Sequence, residues 1–191
     1  GTTVSRSLAG DQPPLSITSL DWFKLGGPEG EIATNTTEAL SALYSGFDHP
    51  LAADVAAALD GLGTAALVRA QGASAATYPE GDFPERLAEL ALLVKADVGV
   101  RVACVDVGSW DMHTNLGTVD GGAMKTELTK LGESLAAFAQ DLGDRFDDVT
   151  VVVMSEFGRR VQQNANAGTD HGHGGVALLL GGGLAGGTVH G

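Results

Sequence analysis

The predicted fold depends on two segments, RVACVDVGSWDMHTN at residues 101–115 and TVVVMSEFGRR at residues 150–160. Each begins with a short apolar run rich in β-branched residues, which is typical of a buried strand. Each run ends in a loop that carries acidic and other polar side chains. Both segments are therefore predicted to be strands, each followed by a loop that holds candidate functional residues.

The segment between these strands has the apolar spacing of a helix that packs on a sheet. Its apolar residues recur at intervals of four and three, and they are Met124, Leu128, Leu131, Leu135, Phe138 and Leu142. Strand, helix and strand in this order predict a βαβ unit with parallel strands and a right-handed crossover. A further strand is predicted over residues 176–180. We therefore expect an α/β fold, a three-layer α/β/α arrangement with a largely parallel sheet.

The N-terminal half is predicted to be mainly helical scaffold. Residues 15–20 alternate apolar and polar side chains, which predicts one short strand. Helices are predicted over residues 36–44, 51–71 and 84–97, the second of which contains glycines that can kink or split it. A length of 191 residues fits one domain, and we predict a single α/β domain over residues 1–191.

Composition and charge exclude several classes of protein. A net charge of −13 at pH 7 argues against a nucleic-acid partner, because the phosphate groups would be repelled. No apolar run reaches the roughly 18 residues that a membrane-spanning helix needs, so no membrane span is predicted. Cys104 is the only cysteine, which excludes an internal disulfide.

Three loops carry acids and histidines. The loops that follow the two predicted strands contain Asp111, His113 and Glu156. Because the carboxyl ends of parallel strands meet at one edge of a sheet, we expect these side chains to lie close together. A third loop contains His171 and His173, and residues two apart on extended backbone point the same way. The three loops are predicted to form a metal site.

The donor atoms of these side chains indicate which metal to expect. Carboxylate oxygen and imidazole nitrogen suit zinc, with manganese or iron as alternatives. Asp170 is predicted either to bind the metal or to orient a ligating histidine. Such a metal would polarise an ester oxygen or lower the pKa of a water molecule. Glu156 has a structural alternative, a salt bridge to Arg159 or Arg160.

The remaining polar and aromatic residues of interest receive structural interpretations. Trp110 is interpreted as a packed cap on its loop rather than as a substrate platform. Asn164 and Asn166 are interpreted as turn residues. We assign no role to His49 or His190.

The same loops resemble a known bacterial family. The resemblance is carried by GSWDMHTN at 108–115, VVVMSEFGRRVQQNANAGTDHGHGG at 151–175 and LLGGGLAGGTVHG at 179–191. These phrases resemble the secreted family called domain of unknown function 1501, over most of the chain from about Thr2 onward. That family is grouped with alkaline phosphatases and sulfatases, so the resemblance implies the C-terminal portion of an alkaline-phosphatase-like fold. It also implies twin-arginine export and an extracytoplasmic location, periplasmic or secreted.

The resemblance further implies roles for individual residues. The superfamily binds two metals through Asp and His, and Asp111 with His113 resembles its first ligand pair at a shorter spacing. The Ser-Glu-Phe-Gly stretch at 155–158 resembles its Ser-Asp-His-Gly motif, with Glu156 in place of Asp and Phe157 in place of a histidine ligand. A histidine of the His-Gly-His turn resembles its late histidine ligand.

We therefore expect a metal-dependent hydrolase of phosphate or sulfate esters, with a small-molecule ester as substrate and Arg159 as an oxyanion contact. The superfamily's nucleophile comes from an amino-terminal half that we do not find in this sequence, so no residue is nominated for it. One alternative is a non-catalytic extracytoplasmic binding or assembly protein that retains the fold, which Phe157 favours. Another is a metal-stabilised structural loop. The predicted metal-site residues are Asp111, His113, Glu156, Asp170, His171 and His173.

Overall fold

The structure, a computed structural model, describes residues 6–10, 14, 16–26, 30–46 and 50–190. In chain order its α-helices are α1 (Glu31–Ser45), α2 (Ala52–Arg69), α3 (Asp82–Lys95) and α4 (Ala123–Leu142). Its strands are β1 (Thr150–Val153), β2 (Gly158–Arg159), β3 (His171–Gly172) and β4 (Leu178–Gly181). Short 3₁₀ helices occur at Arg6–Leu8 and Gly143–Asp148. Helices therefore provide most of the regular structure in the described residues.

The four helices predicted from the sequence are all present. The helix predicted over 36–44 lies within α1, and those predicted over 51–71 and 84–97 correspond to α2 and α3. α2 continues through Gly61 and Gly63, so these glycines do not split it. As predicted, no helix in the described part of the chain is long and apolar enough to cross a membrane.

The chain forms two compact units, the first of which comprises residues 1–74 and 92–104. Its core holds buried residues of α2 together with apolar residues from the end of α3. Arg69 on α2 donates from Nη1 to the carbonyl of Leu20 at 2.6 Å, which attaches the preceding loop to the helix. The most buried core residues are Leu20, Ala65 and Val68.

The second unit comprises residues 75–91 and 105–191, and α4 is its longest element. The predicted apolar stripe is buried along the C-terminal part of α4, whereas Leu128 near its start is 50% exposed. Phe138 also makes an edge-to-face contact with Phe146, with ring centroids 6.5 Å apart. The buried members of the stripe are Leu131, Leu135, Phe138 and Leu142.

Both sheets of the described chain are small and antiparallel. β1 pairs with β4, and Val151 lies opposite Leu180. β2 pairs with β3, and Arg159 lies opposite His171. The strands predicted over 150–154 and 176–180 thus correspond to β1 and β4, although they run in opposite directions.

The predicted three-layer α/β/α fold with a largely parallel sheet is wrong, and so is the alkaline-phosphatase-like architecture. Residues 101–107, predicted to open the βαβ unit, form no strand, and Val102 is 69% exposed. A β-branched run forms a strand only where another strand pairs with its backbone. β1 instead pairs with β4, which follows it in the chain. Residues 16–20 also form no strand, and Leu15 lies outside the described residues.

A buried carboxylate anchors α4 within its unit. Asp141 is 9% exposed, and its oxygens accept hydrogen bonds from the Tyr78 hydroxyl at 3.1 Å and the Ala75 backbone N–H at 3.3 Å. Burial raises the pKa of Tyr78 above its usual range, and the charge of Asp141 raises it further. The phenol therefore remains a hydrogen-bond donor well into alkaline conditions.

Tyr78→Phe is expected to lower the free energy of unfolding by about 1–3 kcal/mol, because a buried carboxylate loses a donor. Since the folded-state pKa of Tyr78 is raised, its contribution is complete below the ordinary phenol pKa of about 10 and is lost as the pH rises through the folded value. Urea unfolding at neutral and alkaline pH measures both effects, and Asp141→Asn completes a double-mutant cycle. An unfolding free energy that Y78F leaves unchanged at neutral pH would contradict this role.

Candidate metal centre

Two segments of the second unit pair to build the candidate site. The backbone N–H groups of Asn115 and Leu116 donate to the carbonyls of Asn166 and Ala167 at 3.0 and 2.8 Å. The antiparallel pairing of β2 with β3 then sets the position of His171. The loop that carries Asp111 and His113 and the loop that carries Asp170 and His171 are thereby held side by side.

Asp111, His113 and His171 form a compact group, called here the Asp–His–His cluster. One oxygen of Asp111, Oδ1, lies 2.8 Å from Nε2 of His171 and 3.0 Å from Nε2 of His113. The two Nε2 atoms are 3.3 Å apart. The side chains of Asp111, His113 and His171 are 60%, 42% and 50% exposed, so the cluster is open to solvent.

Asp170 approaches His113 from the other side of its ring. Oδ1 of Asp170 lies 3.3 Å from Nδ1 of His113, and the same oxygen accepts a hydrogen bond from Asn164 Nδ2 at 2.9 Å. Since an ionised carboxylate only accepts hydrogen bonds, a His113 proton on Nδ1 would be donated to Asp170, and a proton on Nε2 would be donated to Asp111. In the neutral tautomer with the proton on Nδ1, Nε2 carries the lone pair that faces the cluster.

Hydrogen bonds keep both carboxylates of the site ionised. The bond to His171 lowers the pKa of Asp111, and the charges of His113 and Arg159 lower it further. The bond from Asn164 lowers the pKa of Asp170, followed by the bond to His113. Both acids are therefore negatively charged at neutral pH.

Arg159 crosslinks the loops that carry the cluster. Its Nη1 donates to the carbonyl of Met112 at 3.0 Å, to the carbonyl of Thr169, and to the Thr169 hydroxyl at 3.2 Å. Its Nη2 donates to the carbonyl of Trp110 at 2.7 Å and lies 3.4 Å from Oδ1 of Asp111. The side chain is only 16% exposed. These contacts give Arg159 a structural role, and its use as an oxyanion contact stays a prediction.

One aromatic side chain packs against the cluster, and another lies in the loop that carries Asp111. Phe157, at the position where the resemblance implies a histidine ligand, stacks on His171 with ring centroids 4.1 Å apart and planes inclined by 18°. The guanidinium carbon of Arg159 lies 5.4 Å from the centre of the Phe157 ring. Nε1 of Trp110 is buried without a hydrogen-bond partner among the described residues, which favours the interpretation of Trp110 as a packed cap.

Three of the six predicted metal-site residues lie outside the cluster, and one of them, Asp170, contacts His113. Glu156 and His173 are exposed, and neither belongs to the group of converging ligand atoms. Among the described residues Glu156 also forms no ion pair with Arg159 or Arg160, its structural alternative. Of the two histidines without an assigned role, His190 is exposed and His49 lies outside the described residues.

Asn164 is the site residue that the sequence interpretation missed. Besides its bond to Asp170, Nδ2 of Asn164 donates to the carbonyl of His113 at 3.0 Å. Asparagine is common in turns, and its position six residues before Asp170 fits no ligand spacing, so the sequence carries no signal for this contact.

The loop that holds Asn164 packs directly on the backbone of His113. Gly168 is buried, and a Cβ there would overlap the carbonyl group of His113 and the backbone nitrogen of Thr114. Ala167 beside it adopts a left-handed conformation with φ of +56°, which is unfavourable for alanine. Ala167 therefore has a strained backbone conformation at the point where this loop packs against His113.

Comparison with known proteins identifies a family. The family model described as "Protein of unknown function (DUF1501)" matches residues 29–191. No curated protein matches the chain, and no solved structure matches it either. The match covers every residue of the candidate metal centre.

Arg159→Lys is expected to lower the free energy of unfolding by about 1–3 kcal/mol, because one ammonium group cannot replace the guanidinium donors to three backbone carbonyls. Arg160→Lys is the matched control, since Arg160 is adjacent and exposed. Urea unfolding compares the two variants. Equal stabilities for R159K and R160K would contradict the crosslinking role.

Gly168→Ala is expected to cost about 1–3 kcal/mol, because the added methyl group meets backbone atoms that cannot rotate away. Gly183→Ala is the control, since a Cβ at Gly183 would have no atom within 4 Å. Thermal unfolding followed by circular dichroism measures both variants. A melting temperature for G168A that equals that of G183A would show that the two loops do not pack as described.

Proposed function

This chain belongs to the DUF1501 family of proteins of unknown function, and we propose that it is a metal-dependent hydrolase of phosphate or sulfate esters. In this proposal Asp111, His113 and His171 bind one divalent cation, most simply zinc, with manganese or iron as alternatives. The family resemblance implies that it works outside the cytoplasm, and this location is part of the proposal.

The observation that carries the proposal is the convergence of three metal-binding atoms. Oδ1 of Asp111 and the two Nε2 atoms are separated by 2.8, 3.0 and 3.3 Å. In a four-coordinate zinc site, ligand bonds of about 2.0–2.2 Å place neighbouring ligand atoms roughly 3.3–3.6 Å apart. A small outward movement of these side chains would therefore make the cluster one face of a tetrahedral site.

The surroundings of the cluster support cation binding. The contact between Asp170 and Nδ1 of His113 is the carboxylate–histidine arrangement that orients a metal-ligating imidazole. With the proton on Nδ1, the lone pair of Nε2 of His113 faces Oδ1 of Asp111, and two facing lone pairs repel unless a cation lies between them. A divalent metal or a proton relieves this repulsion, and the three converging donor atoms favour the metal.

In the proposed reaction, the cation would activate the ester and a water molecule, and the protein side chains would hold the cation in place. A divalent cation at this position would polarise an ester oxygen and lower the pKa of a water molecule. Asp111, His113 and His171 would hold the cation, and Asp170 would keep the proton of His113 on Nδ1. The exposure of the cluster leaves one side open to a small ester. A bound cation would also offset the local negative charge, which would otherwise repel an anionic substrate.

A second candidate is a non-catalytic role in which the metal holds the loops together. It is favoured by Arg159, because Nη1 and Nη2 of its guanidinium donate to backbone carbonyls of the two loops. In this alternative the metal raises stability without turnover. The protein would then act in binding or assembly.

Zinc binding is expected at one ion per chain, and His171→Ala is expected to abolish it because the cluster loses one of its three donor atoms. His173→Ala is the matched control, since His173 is exposed and outside the cluster. Isothermal titration with zinc, manganese and ferrous iron measures the affinity and stoichiometry. Absence of stoichiometric binding of all three metals by the unaltered protein would overturn both candidates.

Hydrolysis of an aryl phosphate and an aryl sulfate by the metal-loaded protein separates the two candidates. Release of the phenol by the unaltered protein and by H173A, but not by H171A, is expected for the hydrolase. Metal binding that raises the melting temperature without release of phenol from either ester would favour the structural role.

A further inference from the structure

We infer that Asn164 is a positioning residue of the metal site, which fixes Asp170 against His113 and thereby directs the Nε2 lone pair of His113 towards the cation. The inference rests on the proposed metal site. Its structural part, the control of the His113 ring by Asn164, can be tested without metal. The hydrogen bonds of Asn164 in the described structure go to Asp170 and to backbone groups, and not to the metal-binding atoms of the Asp–His–His cluster.

Both polar atoms of the Asn164 side-chain amide form hydrogen bonds. Nδ2 donates to Oδ1 of Asp170 at 2.9 Å and to the carbonyl of His113 at 3.0 Å. Oδ1 accepts from the backbone N–H groups of Asn166 and Gly168, each at 3.0 Å. The nitrogen faces two acceptors and the oxygen faces two donors, so the hydrogen-bond network fixes the orientation of the amide.

The two donor bonds act on the same histidine. One holds the backbone of His113 through its carbonyl, and the other holds Asp170, whose oxygen lies 3.3 Å from Nδ1 of the ring. Asp170 is half exposed, so without Asn164 its carboxylate is free to rotate towards water. The imidazole would then lose the partner that keeps its proton on Nδ1.

The bonds accepted by Oδ1 of Asn164 and the bonds donated by Nδ2 stabilise different parts of the structure. Bonds from the backbone N–H groups to Oδ1 are what an asparagine contributes to a turn, and an aspartate contributes them equally well. The donor bonds from Nδ2 are not needed for the turn. Asn164→Asp therefore keeps the turn-forming half of the side chain and removes the half that holds Asp170 and the His113 carbonyl.

Asn164→Asp also adds a negative charge near the site. From charge alone, this substitution would strengthen the binding of a cation. If Asn164 positions Asp170, N164D instead weakens zinc binding. The expected loss of zinc affinity is about 10–100-fold, the range typical of groups that orient a metal ligand. A turn residue without a positioning role would give unchanged or tighter binding.

The experiment compares the unaltered protein, N164D and Asn166→Ala. Asn166 is exposed and lies in the same turn, so N166A is the matched control. Imidazole ¹H–¹⁵N correlation spectra of metal-free protein at mildly alkaline pH report which ring nitrogen of His113 carries the proton. Titration with zinc then reports the affinity. Asn164→Ser, whose hydroxyl can support the turn but is too short to reach Asp170, serves as a second variant if N164D fails to fold.

The expected result is an Nδ1 proton on His113 in the unaltered protein and in N166A, its loss or redistribution in N164D, and weaker zinc binding by N164D alone. An Nδ1 proton that persists unchanged in N164D would overturn the inference, as would zinc affinity that is unchanged or higher. If the unaltered protein binds no zinc while the proton still moves in N164D, the proposed metal function fails and the control of His113 by Asn164 stands.

Discussion

A single guanidinium group, that of Arg159, connects the loops on which the candidate site depends. It donates to the carbonyls of Trp110 and Met112 on one side and to the carbonyl of Thr169 on the other. The neighbouring residues in the chain are the acids and histidines of the cluster. Because backbone carbonyls hold the guanidinium, Arg159 links the two stretches of main chain from which Asp111, His113 and His171 project.

Around this crosslink, each polar group of the site is held by another. His171 and His113 share one oxygen of Asp111, while Asp170 holds the opposite nitrogen of His113 and is itself held by Asn164. The hydrogen bonds lower the pKa of both Asp111 and Asp170, so the site combines two carboxylates with the two imidazoles of the cluster. In the proposed function, that combination of donor atoms would hold one divalent cation.

The sequence predicted the helices well, since an apolar stripe is a local pattern, and α4 buries it along its C-terminal part. It predicted the sheet wrongly, because the partner of a strand is chosen by distant parts of the chain. Asp111, His113 and His171 were identified from residue type and spacing, but for the wrong reason. Their loops meet through the β2–β3 pair and Arg159, and not at the ends of parallel strands. Asn164 was beyond prediction, because a hydrogen-bond network has no local sequence pattern.

The central claim is that Asp111, His113 and His171 share one cation. X-ray absorption at the zinc edge of the zinc-loaded protein tests it most directly, because the spectrum reports the number and type of atoms around the metal. The expected spectrum is that of four nitrogen or oxygen neighbours at about 2.0–2.2 Å, with the outer-shell scattering of two imidazole rings. A zinc ion surrounded by six oxygens, without imidazole scattering, would contradict the claim.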